Sequence, residues 1–342
     1  MQRSAVVVFA MLMPVCALAA TGGWKIQQRY ALGGEGGWDY LALDQSAQHL
    51  YVSRSDRVLV LDARDGKRAG EIDGLSGVHG IALADDLHKG FISNGHANTV
   101  TVFDPATLKV EQTIAVDAKD PDGIVYDPYS HRVFTFNGDS NDASVIDAKS
   151  GKLLGHVALP GRPEFPVSDG HGHVFDNIES RNELVEIDPM TMKVTAAWPL
   201  KDCDSPSGLA IDVAHHRLFS VCQNKIMAVT DSTSGKQVAS VPIGEGPDAA
   251  RYDAKRGLVL SSNGHSGTLT VVREATPDHY EVLANVPTQK SARTMALDEA
   301  NGRVYLSAAK FGSRPAPTTA DPHPRPTVQP GSFTILVVGP AR

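Results

Sequence analysis

Seven residues stand at one phase of a pattern that repeats about every 42 residues: Asp39, His79, Asp122, Glu164, Ser207, Asp248 and Arg293. Each lies five places before a strand marker, the markers being Asp44, Ala84, Asp127, Asp169, Asp212, Asp253 and Asp298. Asp39, His79, Asp122 and Glu164 come from consecutive repeats and are expected to form one arc, with Asp248 and Arg293 across the gap. Imidazole and carboxylate together suit Zn, Mn, Fe or Ni, and carboxylates with carbonyls suit Ca. A cation held there would polarise a lactone or ester carbonyl, or activate water. His79 between carboxylates is also expected to be a general base with a raised pKa. The plainer reading is that these side chains cap strands and bond loop amides, as Asp and Ser commonly do at turns.

A second set falls on equivalent loops. His96 and His265 each follow the second-strand markers Phe91 and Leu260 by five places; Asp139 matches them in the third repeat, and Glu179 lies nearby in the fourth. With Lys310 these complete the ionisable groups expected on that face. His171, His173, His215 and His216 fall in turns at the opposite end and read as surface residues. Ser207 lacks a Gly-x-Ser-x-Gly setting, which argues against a serine hydrolase. A phosphate-cradling loop, a dinucleotide fingerprint and an HExxH helix are absent from the sequence. Trp24, Trp38 and Trp198 are the only tryptophans, fewer than a quinone-dependent dehydrogenase propeller would be expected to offer.

The elements that must position these residues follow from the repeat itself. A third-strand pattern recurs as Val58–Asp62, Val100–Asp104, Ala143–Asp147, Leu184–Asp188, Ile226–Thr230, Leu269–Arg273 and Phe333–Val337. Two independent markers therefore agree on seven units, each with four β-rich segments. That is the signature of a propeller blade. Helical periodicity is lacking. Turns such as Asp65-Gly66-Lys67, Ser150-Gly151-Lys152 and Ser234-Gly235-Lys236 supply the positive φ of tight hairpins. The expected fold is all-β, a seven-bladed propeller of four-stranded blades. The last unit lacks a fourth strand, and a spare strand at residues 24–32 is expected to complete it, closing the ring and removing an edge. Residues 310–332 form an insertion in blade seven with six prolines, whose stiffness suggests an ordered lid or plug, the alternative being a floppy surface insertion.

At the N-terminus, Arg3, an apolar run from Ala5 to Cys16 and Ala17-Leu18-Ala19 read as a signal peptide over 1–19. A single domain is expected over 20–342, periplasmic or secreted, monomeric and without a membrane span. Cys203 and Cys222 lie at one end of blade five and are expected either to pair in that oxidising compartment or to stay as two thiols. The formal charge of −7 and 6% aromatic content disfavour nucleic acid.

The segments Tyr51-Val52-Ser53, Ser93 to Val100 with Phe103-Asp104, and Ser262-Asn263-Gly264-His265 resemble the exported YVTN-type, or YncE-like, propeller-repeat family. The resemblance covers nearly the whole chain after the leader and implies a fold more than a function. WD40 repeats fit poorly, since Trp38-Asp39 occurs once and at a first strand. Two functions are carried forward. One is a binding scaffold whose top face and channel take a small ligand, a divalent metal ion or a partner protein. The alternative is a metal-assisted, lactonase-like hydrolase using His79, Asp122 and Glu164; its likeness to gluconolactonase-type propellers is one of fold alone.

Overall fold

The computed structural model describes residues 23–318 and 326–341. The expected signal peptide lies outside them, as does the centre of the proline-rich insertion. Strand-forming runs of Val, Ile, Leu, Phe and Thr make seven antiparallel four-stranded sheets. Their innermost strands are Leu41–Asp44, Val78–Ala84, Pro121–Asp127, Pro163–Ser168, Pro206–Asp212, Pro247–Asp253 and Met295–Asp298. The structure is therefore an all-β, seven-bladed propeller.

The core lies between blades rather than on the axis. Seven apolar clusters are each shared by two neighbouring blades. Blades one and two, for example, share Tyr51, Val58, Ile92 and Phe103, all fully buried. Packing of this kind leaves the axial channel free for polar groups.

The ring closes as the sequence implied. Trp24–Ala31 pairs antiparallel with Thr334–Pro340, from Trp24 opposite Pro340 to Ala31 opposite Thr334. The last blade thus takes its outer strand from the start of the chain. The turns after the third strands are capped by Asp62, Asp104, Asp147, Asp188 and Asp231, each accepting hydrogen bonds from amides two or three residues on. In blade five the capping position is Asp231, one residue beyond the Thr230 that the repeat alignment marks.

Cys203 and Cys222 are joined by a disulfide, with Cα atoms 5.4 Å apart, beside the mouth end of blade five. The described arms of the insertion pair through Phe311 and Val328, with Gly312 N–H donating to Thr327 O at 2.8 Å and Gln329 N–H to Lys310 O at 2.8 Å. Among the described residues no helix is long and apolar enough to cross a membrane.

Candidate functional site at the channel mouth

A single local device presents the equal-phase residues. In blades two to six the inner strand breaks register with its neighbour at the mouth end: between Val78 and Ile81, Pro121 and Ile124, Pro163 and Pro166, Pro206 and Leu209, and Pro247 and Ala249. His79, Asp122, Glu164, Ser207 and Asp248 occupy those bulges, where the chain leaves the ladder and a side chain is re-aimed. In blades one and seven, Asp39 and Arg293 stand two residues before the strand starts at Leu41 and Met295.

Glycine follows three of the bulge residues because the neighbouring blade leaves no room. A Cβ on Gly123 would lie 2.4 Å from Glu164 O, and one on Gly208 would lie 2.5 Å from Ala249 Cα. Buried polar side chains then tie mouth residues to the blade beside them. Ser93 Oγ donates to Asp122 O at 2.5 Å, Asn177 Nδ2 to Ser207 O at 2.7 Å, and Thr294 Oγ1 to Asp39 O at 2.6 Å.

The resulting contacts run most of the way round the axis. His79 Nδ1 lies 2.6 Å from Asp39 Oδ2 and 3.6 Å from Asp122 Oδ1, and its Nε2 lies 3.8 Å from Asp120 Oδ1. Arg293 reaches Asp248 Oδ2 at 2.5 Å and Asp39 Oδ1 at 3.3 Å. Ser207 Oγ donates to Asp248 Oδ1 at 3.2 Å. Asp248 and Arg293 are thus not across a gap from the arc; Arg293 closes it onto Asp39. Glu179, from the same blade, raises Glu164.

The mouth has a floor. Where blades two, three and five carry glycine, blades one and four carry Tyr40 and Phe165, whose rings stack at 5.3 Å. The Arg251 guanidinium lies 4.9 Å from the Phe165 ring centroid. Burial pulls the Arg251 pKa down to about 10, against the pull of Tyr40. Below the mouth, the channel cavity of about 380 Å³ is lined by the inner strands.

Electrostatics follow from this recess. Burial and the neighbouring Asp39 push Asp122 up to about 7, with His79 opposing. Burial also lifts Glu164 well above the usual carboxylate range, helped by Asp122, and raises Asp248 against the pull of Arg293. Burial lowers the His79 pKa, but the Asp39 hydrogen bond and the Asp122 charge outweigh it and hold the imidazole at about 9. His79 is therefore a protonated donor to Asp39 at neutral pH, not the general base that its type and spacing suggest. The group poised near neutrality is Asp122, whose Oδ1 is buried without a hydrogen-bond partner.

The rim residues are less integrated. Asp139 and Glu179 flank Arg162, at 3.9 and 3.8 Å, and Arg162 also faces Asp120 at 3.9 Å. His96 and His265 stand exposed on the same face, outside the bonded ring. Sequence reasoning passed over Asp120 and Arg162, whose signal was a charged residue directly before Pro121 and Pro163. It also passed over Asp176, fully buried and raised well above the usual range by burial, against a backbone hydrogen bond from Glu164. Its signal was a lone carboxylate inside the apolar run Val174–Ile178.

Two groups of side chains among the described residues have ligand atoms within 4.8 Å of one another: Asp39, His79 and Asp122 at the mouth, and Asp212, His215 and Glu274 at the opposite end. The second is internally satisfied. Its Glu274 accepts from Tyr252 at 2.6 Å and Tyr280 at 3.3 Å, and Asp212 pairs with His215 at 2.5 Å. The first retains an unpartnered carboxylate oxygen and an excess of acid groups, which suits a cation.

The fold and this mouth define a seven-bladed propeller scaffold. No family model matches the chain. It is 24% identical over 258 residues to the Uncharacterized protein YncE of Salmonella typhi, a match covering 75% of this chain and 60% of that relative. Among solved structures, a Kuenenia stuttgartiensis Hydrazine Synthase chain superposes with a TM-score of 0.71 at 16% identity, covering 80% of this chain and 94% of that one. A chain of the Mitotic Checkpoint Complex gives 0.75 at 10% identity, covering 99% of each. Those two likenesses are of fold alone. The chain is a seven-bladed β-propeller similar in sequence to YncE.

Proposed function

We propose that this protein is an exported, single-domain, monomeric binding scaffold whose top face holds a divalent cation at the channel mouth. The ligands are Asp39, His79, which gives up its proton to solvent when the cation binds, and Asp122, with Glu164 and Asp248 supplying further negative charge. One observation carries the reading. An imidazole and two carboxylates converge within 4.8 Å, and one buried oxygen, Asp122 Oδ1, has no hydrogen-bond partner. A cation would satisfy that oxygen and relieve the crowding that raises the neighbouring carboxylates. The Cys203–Cys222 disulfide supports export to an oxidising compartment.

The test is native mass spectrometry with elemental analysis on protein secreted and purified without chelator. One equivalent of metal, absent from a folded Asp122→Asn variant, is the expected result. A metal-free mass that gains nothing on addition of Mn²⁺, Zn²⁺ or Ca²⁺ would overturn the reading and leave the ring as loop-capping residues that hold a protein-binding face in shape.

The alternative reading, metal-assisted hydrolysis, is favoured by the pairing of Asp122 near 7 with His79 near 9. Two titratable groups displaced in this way are arranged as a base and an acid at neutral pH. Turnover of lactones or esters that falls in Asp122→Asn together with metal content would select it.

A further inference from the structure

Next to the acidic mouth lies a cavity of opposite character. It has a volume of about 710 Å³, within the roughly 300–1,000 Å³ usual for small-molecule sites. Blade five supplies Gln223, blades six and seven supply Asp248, His265, Lys290 and Arg293, and the insertion supplies Phe311, Arg314 and Pro326.

One wall is aromatic. Trp38 stacks on Phe311 with centroids 5.8 Å apart, and its other neighbour is Phe333 at 5.4 Å. Phe311 is nonetheless 45% exposed. The pairing of Phe311 with Val328 and the flanking backbone bonds hold that ring in place from the base of the insertion. An open aromatic face on an anchored backbone is a ready stacking surface.

The charge lining this wall is positive. Arg293 is the only cation of the set with carboxylate partners, and they consume Asp248, the sole carboxylate of the lining. Lys290 and Arg314 are both exposed and make no ion pair among the described residues. Two uncompensated cations in a concave site focus a positive potential, on a chain whose net charge is −7. His265 is fixed at the edge by its fit over Gly246, where a Cβ would come 2.4 Å from its Cγ.

We propose that this cavity binds a small planar aromatic carboxylate, its ring stacked on the open face of Phe311, which Trp38 backs, and its carboxylate held by Lys290 and Arg314. The guanidinium fork matches a carboxylate in two-point contact, and the ammonium adds a point charge. The carboxylate-holding groups Lys290 and Arg314 make no ion pair with Asp39, His79 or Asp122, so the cavity and the mouth share only the Asp248–Arg293 wall.

The test is isothermal titration of the full secreted protein with 1-naphthoate, its neutral analogue 1-naphthamide and inorganic phosphate. Naphthoate is expected to bind at least about tenfold more tightly than the amide. The exposed double variant Lys290→Ala/Arg314→Ala should lose about that factor for naphthoate and leave the amide unchanged. Phe311→Ala should weaken both, because stacking does not depend on charge. No naphthoate binding at millimolar concentration, equal binding of acid and amide, or unchanged affinity in the double variant would each overturn the proposal. Displacement of naphthoate by equimolar phosphate would also overturn it, reducing the site to an unselective anion point. Metal content measured on the same samples reads the mouth separately, so failure of one site is not mistaken for failure of the other.

Discussion

At the scale of single residues, the mouth is an arrangement of strained titrations. His79 has a folded pKa of about 9 against an ordinary 6.5. Its ion pair with Asp39 is therefore fully present below about 6.5 and lost as pH rises through 9. Asp122 acts in the same direction for a different reason. With a folded pKa of about 7 against 3.8, its ionisation is a penalty that is absent below 3.8 and complete above 7. Chelator-treated protein should consequently lose stability between pH 6.5 and 9, by on the order of 2 kcal/mol for the His79 part. Chemical denaturation across that window checks it. His79→Gln should flatten the slope, and a slope unchanged by that substitution would remove His79 as its source. Asp176 is another buried carboxylate that burial raises well above its usual range.

At the scale of the element, the bulge does the positioning. The inner strands of blades two to six share it, and in blades three to six it follows a proline: Pro121, Pro163, Pro206 or Pro247. Proline removes a ladder donor at the strand start, where it is tolerated. The small residue after the bulge lets the next blade close in. Gly123→Ala would put a methyl group against Glu164 O and Pro166 Cδ, at 2.4 and 2.8 Å. The backbone of blade four cannot yield cheaply, so a loss of roughly 1–3 kcal/mol is expected, with the Asp122 carboxylate displaced. A melting curve together with metal or ligand titration checks both halves. A variant with native stability and native binding would show that the bulge is not tightly specified. The glycine-equivalent positions in blades one and four are filled instead by Tyr40 and Phe165, and that exchange gives the mouth a closed floor.

At the scale of the molecule, the ring is only as stable as its closure. Blade seven takes Trp24–Ala31 from the far end of the chain. Without that strand, Thr334–Pro340 would become an exposed edge next to the apolar cluster that Tyr30 helps to cover. Protein lacking residues 23–31 should melt on the order of 10 °C lower and associate through the free edge. Size-exclusion chromatography and thermal denaturation test this, and an unchanged monomer with an unchanged melting point would contradict it. The whole-molecule view also separates two chemistries on one face. An acidic mouth on the axis adjoins a basic aromatic cavity over blades five to seven, with the Asp248–Arg293 pair as the shared wall.

The sequence by itself determined the number of blades, the phase of the strands and the closure. Each of these is a matter of period and order along the chain, and seven units spaced by about 42 residues, the last lengthened by the insertion, leave little else to choose. It also placed Asp39, His79, Asp122, Glu164, Ser207, Asp248 and Arg293 at one height, because equal phase in a ring means equal depth along the axis. Tertiary structure alone decided which of them touch. Phase does not say how a bulge turns a side chain, so the short contact of His79 with Asp39 and the reach of Arg293 onto Asp39 were not legible. The acid character of His79 was hidden for the same reason, since a pKa depends on distances and burial that a linear pattern does not carry. Tyr40, Phe165 and Arg251 were missed because they lie in ordinary strand patterns until the ring brings them to the axis.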